Sequence, residues 1–145
     1  MALVAKDILE KEFLSMPGDT NLFNAAQHMK TSRHGFVIVA NKEGKPVGIV
    51  TEWDVISKVV AEGKDPKNIK LEEVMTRDLI TIEPDVGIDE LSQFMATKGI
   101  RRVLVVSDEK VLGVITSKTV LARLKDYVDR ISTQIARLHS SPIHA

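Results

Sequence analysis

The sequence predicts an α/β fold of two tandem β-α-β-β-α subdomains related by a pseudo-two-fold axis, with extra helical segments at both ends. Three observations predict it. Short apolar strand patterns alternate with amphipathic helical patterns along the chain. The stretch Gly48-Ile49-Val50-Thr51-Glu52-Trp53-Asp54 recurs 65 positions on, from 48 to 113, as Gly113-Val114-Ile115-Thr116-Ser117-Lys118-Thr119. The flanking features recur in the same order: Phe36-Val37-Ile38-Val39-Ala40 matches Arg102-Val103-Leu104-Val105-Val106, Met29 matches Met95, and Pro17 matches Pro84. A period this long exceeds that of ordinary solenoid units, so the chain reads as a duplicated subdomain.

The elements follow in order. Residues 2–12 carry Leu3, Val4, Ile8 and Leu9 at helical spacing, which predicts one helix with a single buried stripe. Phe13-Leu14-Ser15-Met16 reads as a short strand stopped by Pro17-Gly18. Asp19 or Thr20 then caps a helix to about Lys30, with Leu22, Ala25, Ala26 and Met29 inward. Residues 36–40 are apolar throughout, as in a strand covered on both faces. Asn41-Lys42-Glu43-Gly44 is a hairpin turn, and residues 46–51 return, with Pro46 at a strand's first position. A helix from Glu52 ends near Gly63, a natural C-cap.

The second copy opens with residues 71–75 and a strand at Ile80-Thr81-Ile82. A helix over 88–98 closes at Gly99, and strands over 102–107 and 111–116 meet across Asp108-Glu109-Lys110. From Ser117 the helical pattern runs on through Leu121, Leu124, Val128, Ile131, Ile135 and Leu138, and the tail from His139 to Pro142 is expected to fray. The expected units are residues 1–63, a polar linker over 64–70, residues 71–125, and a C-terminal helical extension over 126–145.

Bulk properties narrow the function. The chain has 145 residues, 20 Lys and Arg against 20 Asp and Glu, and 43% hydrophobic residues. Zero net charge argues against a broad nucleic-acid surface. No apolar run reaches membrane-spanning length and the N-terminus lacks a signal peptide's apolar core, so the expected location is cytoplasmic. The absence of cysteine removes disulfides, zinc–thiolate sites and thiol catalysis. His28, His34, His139 and His144 lack the spacing of a metal cluster, and no serine has an evident histidine partner. No catalytic residue and no metal site are expected. Trp53, the only tryptophan, is expected to pack on a neighbouring helix or at a dimer contact.

The repeated motif carries the candidate chemistry. Thr51 sits where a strand turns into a helix, and the N–H groups of a new helix end favour an anion. Asp54, one turn on, lies on the same side as Thr51 and suits a neighbouring diol such as a ribose. The same residues also read as a plain capping box, with Asp54 bonding back to the cap backbone.

The ordered features, present twice, resemble the cystathionine-β-synthase (CBS) domain, and the tandem resembles a CBS pair from about Val4 to Leu124. The resemblance implies a sensor or regulator, not an enzyme, that binds an adenosyl compound (AMP, ADP, ATP or S-adenosylmethionine) between the repeats and needs no cofactor. It implies that Thr51 and Asp54 face Asp78, Ile80 and Thr81 and also Ile100, Arg101 and Arg102. Ile80 and Ile100 would flank adenine. Arg101 and Arg102, if they precede a strand, are expected to point to opposite faces, one of them clamping a phosphate. A second, weaker cleft would hold Ser15, His34, Thr116 and Thr119. There Thr119 stands where the pattern has Asp, and no Arg pair is present.

The resemblance also implies a homodimer, paired through the helices that start near Glu52 and Ser117 (Val55, Ile56, Val59; Val120, Leu121, Leu124). A regulator of this kind acts in trans on an unknown protein effector. The rival reading is a ligand-independent interaction module that uses the dimer surface and the C-terminal helix.

Overall fold

The computed structural model of the chain describes residues 3–140. Ala2 at the start of the first expected helix, and Ser141, Pro142 and His144 in the tail, lie outside the described residues. Two three-stranded sheets form, ordered β1-β2-β3 and β4-β5-β6. In the first, β1 (Leu14–Pro17) pairs parallel with β2 (Phe36–Ala40), which pairs antiparallel with β3 (Pro46–Thr51). In the second, β4 (Thr81–Ile82), β5 (Arg102–Ser107) and β6 (Lys110–Thr116) repeat that arrangement. The registers coincide: Phe36 pairs with Thr51, and Arg102 with Thr116.

Strand alternation then sorts the apolar run of β2. Val37 and Val39 face α2 (Leu22–Ser32) in one core, whereas Phe36 and Ile38 meet Leu104 and Val114 of the other sheet. That is why residues 36–39 are all buried. Helix α2 begins one residue later than expected, because Asn21 Oδ1 accepts from Asn24 N–H at 2.8 Å. Ala26 is only half-buried. The turn after β2 forms as expected: Asn41 Oδ1 accepts from the N–H groups of Glu43 and Lys45, and Gly44 takes φ 82°.

The first helix departs most from expectation. Helix α1 (Ala5–Ile8) is a single turn, and Leu9 is already extended. Beyond it, Glu10 N–H donates to Val114 O at 2.9 Å and Val114 N–H to Glu10 O at 3.0 Å. The free edge of β6 offers two backbone bonds, and these outcompete the weak propensity of a short helix. Its counterpart is Thr76, bonded both ways to Ile49 on the edge of β3 at 2.9 and 3.0 Å.

Opening helices are exchanged between the repeats. Ala5 and Ile8 of α1 enter the core of the second repeat with Leu91, Val103 and Ile115. Leu71 and Val74 of α4 (Leu71–Val74) enter the core of the first with Leu22, Val37 and Val50. The helix expected after Glu52 forms as α3 (Glu52–Val55), which widens into a π turn over Ile56–Val60. Helix α5 (Ile88–Lys98) closes at Gly99 as expected, and α6 (Ser117–Ser140) extends for 24 residues.

Candidate functional site

Thr51 ends β3 and caps α3, and the capping box is fully made. Asp54 N–H donates to Thr51 Oγ1 at 3.3 Å, while Asp54 Oδ2 accepts from Thr51 N–H at 2.9 Å and from Thr51 Oγ1 at 3.2 Å. Asp54 Oδ1 lies 3.0 Å from Lys58 Nζ, which also donates to Val74 O at 2.8 Å. Asp54 is the one buried charged side chain among the described residues, 7% exposed. Thr76 approaches β3 closely beside Gly48, where a Cβ would push the Met75 side chain aside.

A cleft of about 210 Å³ opens beside Thr51, lined by Ile49, Asp78, Leu79, Ile80, Ile100, Arg101, Arg102 and Leu104. Six of the eight residues expected at the first site therefore meet there: Thr51, Asp78, Ile80, Ile100, Arg101 and Arg102. Thr81 follows Ile80 in β4 and turns to the other side, into a groove with Lys45, Glu83 and Glu109. Asp54 is not part of the cleft wall, its carboxylate being held in the cap. Ile49 and Leu104 were not expected; their strand positions, on the faces turned toward the opposite repeat, are the signal that marks them.

The two arginines do not point to opposite faces; both line this cleft. Arg101 lies in the bend before β5, where strand alternation has not yet begun, and its carbonyl accepts from Ser117 N–H at 3.0 Å. Arg102 is half-buried, with its guanidinium carbon 4.8 Å from the centre of the Phe36 ring. Burial draws this guanidinium below the ordinary arginine value; Glu52 opposes that pull and Arg101 adds to it. It nevertheless keeps its charge. Arg102 Nε is buried and unpartnered, one of two such side-chain atoms among the described residues, the other being His34 Nδ1.

The matching region around Thr116 has the same backbone frame and different groups. Thr116 and Thr119 form the corresponding cap, with Thr119 N–H donating to Thr116 Oγ1 at 3.1 Å and the two hydroxyls 2.9 Å apart. Thr119 Oγ1 also donates to Glu10 Oε1 at 3.1 Å. Glu10 was missed because the contact spans 109 positions and no local pattern announces it. His34 Nε2 sits 3.1 Å from Glu12 O, and its ring meets Phe36 edge-on at 6.4 Å. Ser15 is exposed on β1, in the position that Thr81 holds on β4.

Trp53 is not buried against a neighbouring helix among the described residues: it is 70% exposed. Val59 and Val120, expected at a dimer surface, are buried in the two cores, which leaves Ile56, Val60, Leu121 and Leu124 outside. No helix of the described residues is long and apolar enough to cross a membrane.

Comparison with known proteins places this architecture. The family profile described as CBS domain matches residues 5–61 and 71–126. An uncharacterized protein of Methanopyrus kandleri is 36% identical over 97 residues, 66% of this chain and 50% of its own length. The L-aspartate semialdehyde sulfurtransferase of Methanocaldococcus jannaschii is 32% identical over 81% of this chain, which spans only 22% of that enzyme. Among solved structures, the CBS domain pair of protein MJ0100, in complex with 5′-methylthioadenosine and S-adenosyl-L-methionine, superposes with a TM-score of 0.74. It is 31% identical and covers 87% of this chain and 98% of that one. The chain belongs to the CBS domain family, with two CBS domains in tandem.

Proposed function

We propose that the chain is a regulatory module that binds an adenosyl ligand carrying negative charge in the cleft between Thr51 and Arg102. The observation that carries this reading is the pairing of Arg102 with Arg101 in one cleft, with Arg102 Nε buried and unpartnered. Two like charges side by side in a half-buried site call for an anion, and a phosphate accepts the forked N–H groups of arginine well. Ile80 and Ile100 supply apolar walls for the base, and Thr51 and Asp78 supply polar edges. The cleft volume suits a base and falls short of the roughly 300–1,000 Å³ of a whole-ligand pocket, so the phosphate end rests at the rim near exposed Arg101. A ribose reaches Asp54 only by sharing its carboxylate with the cap and with Lys58. The CBS pair of protein MJ0100 holds adenosyl compounds, which supports the ligand class.

The module acts in trans, through a protein effector, as a homodimer whose surface includes Trp53, Ile56, Val60, Leu121 and Leu124. A ligand-independent interaction module is the second reading, favoured by the exposure of α6. A thermal-shift panel of AMP, ADP, ATP, S-adenosylmethionine and NAD separates the two. A ligand at a hundred times its Kd stabilises by about 2.7 kcal/mol, a rise of about 5–11 °C for a chain of this size. No shift with any of them, together with no heat in calorimetry, rejects the sensor reading.

A further inference from the structure

Helix α6 runs from Ser117 to Ser140, and every residue after Val120 is exposed. Arg123, Leu124 and Tyr127 still border Leu3, Ile88 and Asp89 of the module, and beyond Tyr127 about 20 Å of helix projects with every residue exposed. Its apolar residues are Leu121, Leu124, Val128, Ile131, Ile135 and Leu138, separated alternately by three and four positions. They remain 36–65% exposed. A helix lying on its own globular core shows a wider stripe at the 3.6 period, whereas a strict three–four alternation is the seam of a coiled coil.

We propose that this seam is a contact between two copies of the chain, the α6 helices lying parallel and in register. Leu121, Val128 and Ile135 take one set of core positions and Leu124, Ile131 and Leu138 the other. β-Branched residues in two of the first set and leucine in two of the second favour two parallel strands. Charges permit a second copy as the partner: Arg123, Asp126, Asp129, Arg130 and Arg137 fall on the outer positions, and Lys125 alone flanks the seam, opposite Val120. In the parallel pair the other flanking contacts are Tyr127 with Ser132 and Gln134 with His139, so no like charges oppose each other. The seam covers roughly 600 Å² per copy, about 1,200 Å² in total, which reaches the lower end of specific interfaces. This inference is independent of any ligand.

Because the chain has no cysteine, single cysteines report the contact cleanly. Val128→Cys and Ile135→Cys, each introduced alone into the full chain and treated with a mild oxidant, are expected to cross-link to themselves in high yield. Arg130→Cys, on the outer face, is the control and is expected to stay largely unlinked. If neither seam variant links more than the control, or only one of the two does, a parallel pairing of copies is wrong. Hydrogen exchange gives a second readout. Amides over residues 125–140 are expected to be protected in the wild type at tens of micromolar and to lose at least tenfold in Ile135→Asp, with β2 and β5 unchanged. Unprotected wild-type amides over that stretch overturn the proposal.

Discussion

The cleft beside Thr51 and the matching region around Thr116 share a backbone frame and differ in charge. Each has a Thr-capped helix start, a strand edge bridged by the segment that precedes the other sheet's first strand, and a glycine beneath that bridge. Position by position, Ile100, Arg101 and Arg102 in the first correspond to His34, Gly35 and Phe36 in the second, and Asp54 corresponds to Thr119. The two first-strand partners even meet, the Arg102 guanidinium resting on the Phe36 ring. The cleft therefore gathers two cations, while the matching region gathers the Glu10 carboxylate. The two copies keep in common what the backbone needs and differ in the side chains around it.

The largest expected effect tests that charge difference. Arg102→Ala should lower affinity for AMP or ATP by about tenfold to a hundredfold, since each charge-assisted bond contributes about 1.5–3 kcal/mol. Titration calorimetry measures it, and Phe36→Ala should change affinity far less while loosening the stack. Equal losses from the two variants would mean that packing, not charge, governs the cleft.

The next effect falls on stability. Asp54→Ala removes the acceptor for Thr51 N–H and the partner of Lys58, and should cost about 1–2 kcal/mol, or about 2–5 °C in Tm, besides weakening binding. Thr119→Ala should cost less, about 0.5–1 kcal/mol, and leave nucleotide affinity unchanged. A Thr119→Ala loss of affinity equal to that of Asp54→Ala would dissolve the asymmetry.

The glycines sharpen the comparison. A Cβ at Gly113 would lie 2.6 Å from the backbone oxygen of Glu10, whereas one at Gly48 meets the flexible Met75 side chain. Gly113→Ala should therefore cost about 2–3 kcal/mol and Gly48→Ala about 1 kcal/mol, by chemical denaturation. The reverse order would place the rigid bridge in the other repeat.

The smallest effect concerns restoring the missing acid. Thr119→Asp puts a second carboxylate beside Glu10, so it should not restore binding and should destabilise by about 0.5–1 kcal/mol near neutral pH. The penalty is the repulsion between two neighbouring carboxylates. The double variant with Glu10→Gln should remove it at all pH values.

These cases show what the sequence carried. The strand limits over 36–40 and 46–51 and the helix over 88–98 are legible because apolar period, turn residues and Gly99 agree locally. The residues that meet in the first cleft were named from the family resemblance, which says which segments of the two repeats face each other, and not from local pattern. What escaped depended on distant partners. Helix α1 shortened because the edge of β6 captured Glu10, and the arginines share a cleft because β5 starts one residue later than Arg101. Asp54 was readable either as a cap or as a diol acceptor, and its position favours the cap, with one oxygen held by Thr51 and the other by Lys58.

Calorimetric titration of the full-length wild type with AMP and, separately, with adenosine tests the central claim most directly. The account predicts one AMP per chain, with affinity falling as salt rises and at least tenfold weaker binding of adenosine, which offers the arginines no phosphate. Two equivalent AMP sites per chain, or adenosine binding as tightly as AMP, would contradict it.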